Sequence, residues 1–326
     1  MDSDVDPALA SRFRTDLGRL WSGSGRLGLA VSGGPDSMAM LLLAHAALPG
    51  QIEAATVDHG LRLESGAEAA LVGRVCAGLA VPHRTLRVEV EAGNLQHRAR
   101  AARYSALEGW LEKRGLEALL TAHQMDDQAE TLVMRLNRGS GLMGLAGIRA
   151  RTRVPGGDRP LLRPLLGWRR AELGALARAC AVPFVEDPSN ADPQFDRVRV
   201  RQALADADWI ETSGFARSAA LLADAEGVLA FAVEREWTEC VMPEGNGFSY
   251  AAFRTELPGP NLLRIGVIQS VARALGGSLD AGEAAQMACS LLRRQRCNIG
   301  GIAGHPRDLA GEQMWVFTSE NPRKTG

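Results

Sequence analysis

At 326 residues, with 46% hydrophobic and 23% charged residues, the chain has the balance of a soluble globular protein and exceeds one average domain. The opening residues, Met1 to Asp6, are acidic, and the longest apolar run, Met38 to Ala44, falls far short of the ~20 residues a membrane span needs, which argues against a secretion signal and against spanning. The net charge of -1 is unevenly spread: from Arg135 to Arg170 nine arginines face one acidic residue, Asp158, a basic stripe of the kind phosphate backbones attract.

Four short apolar segments, Leu27 to Val31, Ile52 to Val57, Leu86 to Val90 and Leu116 to Ala122, read as strands. They alternate with predicted helices over Asp36 to Ala47, Glu64 to Leu79, Leu95 to Arg114 and Asp126 to Arg138. Strand and helix in alternation imply parallel strands joined by right-handed crossovers, hence an α/β doubly wound, mainly parallel sheet with ligands at the carboxyl ends of its strands. A Pro-punctuated stretch, Arg159-Pro-Leu-Leu-Arg-Pro-Leu-Leu166, and a helical run around Glu172 to Cys180 follow. From Phe215 the pattern becomes Ala/Leu/Glu-rich, with helices over Ser218 to Glu239 and Leu262 to Leu275. The expected division is a catalytic domain over 1–212 and a mostly helical second domain over 213–326.

The first strand runs straight into Ser32-Gly33-Gly34-Pro35-Asp36-Ser37 and then an apolar helix. Two glycines without Cβ atoms, two hydroxyls and a helix N-terminus make a cradle for a polyanion. Asp36 stands where it can ligate the Mg2+ that accompanies a triphosphate such as ATP. No G-x-x-x-x-G-K-[ST] loop is present, and Gly23-Ser-Gly25-Arg-Leu-Gly28 precedes the first strand, where the dinucleotide fingerprint does not function. Cysteines at 76, 180, 240, 289 and 297 include no Cys-x-x-Cys pair, so neither a disulfide framework nor a zinc site is readable, and the cytosol fits best.

Asp58 and His59 end the second strand beside the presumed nucleotide, where a ribose or adenine contact and a solvated turn are both open readings. On the next helix His97, Arg100 and Tyr104 share a face with Arg103 adjacent, a surface-helix pattern or a substrate-facing one. Asp127 and Glu130 are three apart on the helix near Asp126, and a carboxylate pair near a phosphate site suits a cationic substrate. Metal binding by His123 and Asp126 has no evident third ligand.

Ser32 to Ser37 after a first strand resembles the PP-loop of the N-type ATP pyrophosphatases, adenine nucleotide alpha hydrolase-like in fold, which split ATP into AMP and pyrophosphate. Asp58-His-Gly-Leu-Arg62, Asn94 to Tyr104, Thr121 to Thr131 through Arg138-Gly-Ser-Gly141, and Leu162 to Leu166 followed by Glu186-Asp-Pro-Ser-Asn190 resemble the tRNA(Ile)-lysidine synthetase family. The resemblance implies a ligase that adenylates the first anticodon cytidine of tRNA(Ile) with a CAU anticodon and replaces AMP with L-lysine at C2, changing codon recognition from AUG to AUA. It implies Asp36, Arg103, Asp127 and Glu130 as catalytic, Ser32 to Ser37, Asp58 and His59 as nucleotide-binding, and Arg100, Arg103, Asp127, Glu130 and Arg138 as substrate-binding. The second domain would bind tRNA, and a homodimer is left open. The chain departs from the family pattern at Gln124, usually a second His, and at Val198, usually Asn. The rivals are a tRNA 2-thiolating PP-loop enzyme, against which the lack of paired cysteines speaks, and a catalytically inactive RNA- or nucleotide-binding module.

Overall fold

The structure, a computed structural model, describes residues 5–60, 65–88, 95–185, 194, 196–254, 256–309 and 312–320. Arg62, Asn94 and the Glu186 to Asn190 motif lie outside these residues, as does the side chain of His97. The chain divides into two compact units, 1–140 with 144–221, and 141–143 with 222–326.

In the first unit β1 (Leu27–Ala30) is flanked in parallel by β2 (Ile52–Asp58) and β4 (Ala118–Leu120), with Leu29 opposite both Ala54 and Leu120. Beyond β2 comes β3 (His83–Arg87). Beyond β4 comes β6 (Pro160–Leu162), which pairs antiparallel with the edge strand β5 (Arg151–Arg153). The order β3-β2-β1-β4-β6-β5 turns outward in both directions from β1, so the switch point lies between β1 and β4. That is where an open α/β sheet leaves a crevice at the carboxyl ends of its strands. The third strand starts and ends three residues earlier than its apolar run suggests. It lies at the sheet edge, half-exposed, and its first residue, His83, shares a 2.9 Å hydrogen bond with the buried Thr56 hydroxyl.

The central helix α2 (Pro35–Ala47) is apolar all round because it is enclosed all round: every residue from Met38 to Ala44 is fully buried. It packs with α1 (Pro7–Gly18) and α7 (Arg170–Ala179) on one sheet face, in a core that includes Phe13, Leu29, Trp168 and Leu173. Helix α3 (Ser65–Gly78) joins β2 to β3 and places Val72, Val75 and Cys76 in this core. The long helix α4 (Leu95–Arg114) covers the other face through Tyr104, Leu107, Trp110 and Leu111. Helix α5 (Met125–Asn137) follows β4, the single turn α6 (Leu142–Leu145) comes next, and α8 (Asp196–Asp206) packs on α5.

Helix α9 starts at Thr212, close to where the sequence pattern changes, and runs to Cys240. The second unit contains α10 (Leu262–Ala274), α11 (Ala281–Leu292) and, in addition to the helices read from sequence, a five-stranded antiparallel sheet. The strands β7 (Val241–Glu244), β8 (Gly247–Tyr250), β9 (Cys297–Ile299), β10 (Ile302–Leu309) and β11 (Glu312–Ser319) are ordered β7-β8-β11-β10-β9. The β9-β10 hairpin turns on Gly300 and Gly301, both at positive φ (58° and 77°), the backbone a tight two-residue hairpin turn requires. Trp315, Tyr250, Phe317 and Ile268 fill the core of this unit.

Candidate active site

The phosphate loop is built by β1 and capped by α2. Gly33 takes φ +92°, open to glycine at no steric cost, and its carbonyl accepts the Val185 N–H at 2.9 Å. Ser37 Oγ ties the loop on itself: it donates to the Gly34 carbonyl at 2.9 Å, accepts the Ser32 N–H at 3.2 Å and lies 3.2 Å from Ser32 Oγ. Pro35 occupies the first turn of α2, where a missing N–H costs nothing and the fixed φ suits the helix. The loop opens on a cleft of about 710 Å3 whose walls include Ser32, Asp36, His59, Arg100 and Arg103.

Asp36 is the loop's charged member. Burial raises its carboxyl to about 6, against the lowering effect of Arg170, whose Nε is 3.9 Å away. Its Oδ1 and the neighbouring amide Nε2 of Gln124 are both buried and make no hydrogen bond of ordinary geometry among the described residues, though the amide is near enough to lower the carboxyl slightly. A buried carboxylate oxygen beside a phosphate cradle is suited to a hard divalent cation. Among the described residues no group of three or more His, Cys, Asp or Glu side chains forms a metal site, so the other ligands of such a cation would come from the phosphates it accompanies.

Gln124 is wholly buried and does the work of an N-cap. Its Oε1 accepts the N–H groups of Asp126 at 2.5 Å and Asp127 at 3.4 Å, while Asp127 Oδ2 accepts the Gln124 N–H at 3.1 Å. This reciprocal box fixes the start of α5 and aims the Asp127 side chain. Residue 124 therefore serves as a structural cap whose amide also ends beside Asp36.

The two carboxylates of α5 meet three guanidinium groups. Glu130, 1% exposed, accepts Arg170 Nη2 at 2.9 Å and Arg201 Nε at 2.8 Å on Oε1, and Arg197 Nε at 2.6 Å on Oε2. Asp127 Oδ1 accepts Arg197 Nη2 at 2.8 Å and Arg170 Nη2 at 3.3 Å. Burial raises the Glu130 carboxyl, but Arg201 and Arg197 outweigh it and hold the group below its ordinary range; at Asp127 burial prevails over Arg197 and the carboxyl is raised. Asp127 lines the cleft with Arg170, Arg197 and Arg201, and Glu130 stands behind them.

His59 lines the cleft while Asp58 does not. The Asp58 carboxylate accepts the Gly60 N–H at 2.9 Å and is held low by the Ser65 hydroxyl first and by this N–H second, so it shapes the turn that presents His59. His59 Nε2 accepts from Arg103 Nε at 3.3 Å, which leaves the proton of the neutral ring on Nδ1, itself buried and without a partner among the described residues. Burial, then Arg103, keeps this ring neutral. His123 bonds Thr121 Oγ1 through Nδ1 at 3.0 Å and is pushed down to about 3 by burial and by Arg163, so it too is neutral. Arg100 lies 5.1 Å from the ring centre of Tyr104. Arg138 is not brought to the cleft: it is exposed and lies 3.6 Å from Asp196.

The basic stripe is divided: Arg138, Arg151, Arg153 and Arg169 are exposed, while the others turn to the chain itself. Arg135 is spent on the Gly144 and Gly147 carbonyls, Arg149 on the Ala146 carbonyl, Arg159 on Glu108 at 2.8 Å, and the buried Arg163 on the Arg149 carbonyl at 2.6 Å. These arginines brace loops around β5 and β6. Only Arg170 of the stripe enters the cleft, where Arg197 and Arg201 join it from α8. Sequence spacing gave no signal for this convergence, because residues 127, 170 and 197 are neighbours only through the packing of α5, α7 and α8. The identities of these three residues were visible; their pairing was not.

The PP-loop domain family matches residues 7–207 of the chain. A tRNA(Ile)-lysidine synthase of Novosphingobium aromaticivorans is 46% identical over 313 residues, covering 95% of this chain and 93% of that one. One from Zymomonas mobilis is 36% identical, covering 92% and 90%. Among solved structures, the U34-tRNA thiolase of Methanococcus maripaludis with its 4Fe-4S cluster shares the fold at a TM-score of 0.54 and 16% identity, covering 68% of this chain and 77% of that one. The phosphate loop at the switch point, the carboxylates of α5 and these similarities over nearly the whole length place the chain in the tRNA(Ile)-lysidine synthase family of PP-loop proteins.

Proposed function

We propose that the protein ligates L-lysine to C2 of the cytidine at the first anticodon position of tRNA(Ile) with a CAU anticodon, using ATP, in the cytoplasm. The observation that carries this reading is the convergence in one cleft of a polyphosphate cradle, Ser32 to Ser37, with a carboxylate, Asp127, backed by Glu130. In the first half-reaction the cytosine O2 attacks the α-phosphorus of ATP and pyrophosphate leaves. The N–H groups of the loop and the first turn of α2 stabilise the charge that develops on the phosphates, a positioning task that needs no protein nucleophile. Asp36 would hold Mg2+, which supplies charge neutralisation of the phosphates when bound. His59 lines the cleft as a neutral ring whose tautomer Arg103 fixes, and would pack against the nucleotide.

In the second half-reaction the lysine amine attacks C2, AMP leaves, and the amine surrenders its protons. A free ammonium has a pKa of ~10.4, so it must be held as a cation and then deprotonated. Asp127, raised by burial, faces the cleft and is suited to both tasks, with Glu130 behind it. Arg100 and Arg103 at the rim, with residues 222–326, would hold the RNA. None of the five cysteines lines the cleft, and Cys76 sits in the core with its thiol pushed up to about 12 by burial, which leaves no sulfur carrier for the thiolating alternative.

The test separates the half-reactions. In Asp127→Asn the phosphate loop is untouched, so adenylated RNA should still form, while lysine transfer should fall roughly tenfold to hundredfold, the worth of a charge-assisted hydrogen bond to an ammonium. Adduct and lysine-modified RNA are followed in one time course. Equal loss of both products would refute the assignment of Asp127 to lysine.

A further inference from the structure

The carboxylate pair assigned above to a cationic substrate already holds cations. Three guanidinium groups, Arg170, Arg197 and Arg201, stand against Asp127 and Glu130, with Asp36 as a third, more distant carboxylate at 3.9 Å from Arg170. A fourth cation enters this group only at a cost, because like charges at such short range repel and the three guanidinium groups already match the three carboxylates. For a lysine ammonium to bind, one guanidinium must leave.

The three are not equally free to go. Arg170 begins α7 and its own backbone N–H is held by Asp126 Oδ2 at 2.8 Å, while its side chain touches all three carboxylates. Among the described residues Arg201 reaches Glu130 alone, from a side chain 30% exposed. Arg197 is the most exposed of the three, at 41%, and lines the cleft. It meets both carboxylates with separate nitrogens, Nε to Glu130 at 2.6 Å and Nη2 to Asp127 at 2.8 Å, so it spans the same pair that would receive the amine.

We infer that Arg197 is an internal occupant of the lysine seat, which it vacates when the phosphate of a bound substrate offers it another anion. This rests on the reading of Asp127 and Glu130 as that seat. The cleft that receives the phosphates and the carboxylate pair share Arg197 as a wall, so one side chain can serve either but not both. The consequence is an order of events: lysine affinity is low until a phosphate-bearing substrate is in place, which keeps the amine out until there is an activated base to attack. By linkage the coupling is reciprocal, and lysine must tighten phosphate-substrate binding by the same factor. Removing Arg197 leaves Glu130 compensated by Arg170 and Arg201, so the buried carboxylate is not stranded.

The experiment is equilibrium dialysis of labelled lysine against the full chain: alone, with a non-hydrolysable ATP analogue and Mg2+, and with an anticodon stem-loop RNA. Wild type should bind lysine at least roughly tenfold more tightly with analogue or RNA than alone, since an occupied seat reduces apparent affinity by the fraction open. Arg197→Ala should bind lysine tightly alone and gain little from either. Lysine at saturation should tighten analogue or RNA binding to wild type by the matching factor, a readout that does not depend on any variant folding. Opening by the analogue or by the RNA identifies which phosphate draws the side chain away, and either outcome supports the inference. Equal lysine affinity of wild type in all three conditions, or no gain in Arg197→Ala, overturns it. Adding Asp127→Asn to Arg197→Ala checks the underlying reading separately: if the double variant keeps full lysine affinity, the seat lies elsewhere and the assignment of Asp127 fails, whatever Arg197 does.

Discussion

Burial holds the Asp36 carboxyl at about 6 in the folded chain, against an ordinary value of 3.8, although a guanidinium stands 3.9 Å away. Its sign in stability follows directly. Between these two values the folded state binds the additional proton, so stability declines as pH rises through that window and the loss is complete above it. Asp36→Asn removes the burden and should stabilise the protein at pH 7 by about 1 to 3 kcal/mol, with no gain near pH 3.8. The same substitution should abolish pyrophosphate release, because a neutral amide does not replace a carboxylate toward a cation. Urea titrations at the two pH values and a release assay check both halves. A variant that is no more stable at pH 7, or one that still adenylates, would remove Asp36 from this role. The residue keeps a destabilised site for chemistry, the trade expected of functional groups.

Helices α5, α7 and α8 meet in the charge cluster around Glu130. Helix α8 buries a single hydrophobic residue, Val198, so its docking depends on the ion pairs to Glu130, with Arg201 holding it when Arg197 turns away. Glu130→Ala leaves three part-exposed guanidinium groups without their central partner, and the expected cost is about 1.5 to 3 kcal/mol, the worth of hydrogen bonds to a charged group. Hydrogen exchange should show the loss concentrated in residues 196–206. A loss below about 1 kcal/mol, of the size a surface pair contributes, would show that the arginines reach water freely and that the cluster does not hold α8. Helix α5 is fixed at its other end by the Gln124 cap, which explains how a position departing from the family pattern serves without a ring: what the helix uses there is a side-chain oxygen over two N–H groups.

For the whole molecule the arrangement of arginine decides how RNA affinity answers to salt. Counterion release scales with the phosphates neutralised, about 0.7 in logarithmic slope per contact on a single strand. Arg100 and Arg103, at the cleft, should each lower that slope by about 0.7 when replaced by Ala. Arg135→Ala and Arg159→Ala should leave it unchanged, because those side chains brace carbonyls and Glu108 inside the first unit. Binding of an anticodon stem-loop at several salt concentrations gives the slopes. A steeper effect from Arg135 or Arg159 than from Arg100 would mean that the stripe, and not the cleft, meets the RNA.

The parallel sheet, its central buried helix and the phosphate loop were legible because each rests on local chemistry: alternating apolar runs, an apolar seven-residue core of α2, and Gly, Ser and Pro in a strand-to-helix turn. The five strands of the second unit were not read from the pattern, where only helices stood out, and short ones such as Cys297–Ile299 carry too few residues for a period to emerge. The pair Asp127 and Glu130 was visible on one helical face, since spacing of three is a property of the helix alone. What holds those carboxylates was not. Arg170 and Arg197 lie 43 and 70 residues from Asp127 along the chain, and charge carries no periodicity that would announce a partner at such a distance. Composition likewise revealed a basic stripe but not its use, for an arginine looks the same in sequence whether its head meets an RNA phosphate or a carbonyl of its own chain. Sequence alone determined the first four strands, the helices between them and the chemistry of the phosphate loop; tertiary packing decided which charges meet, because that depends on which helix faces the folded sheet sets against one another.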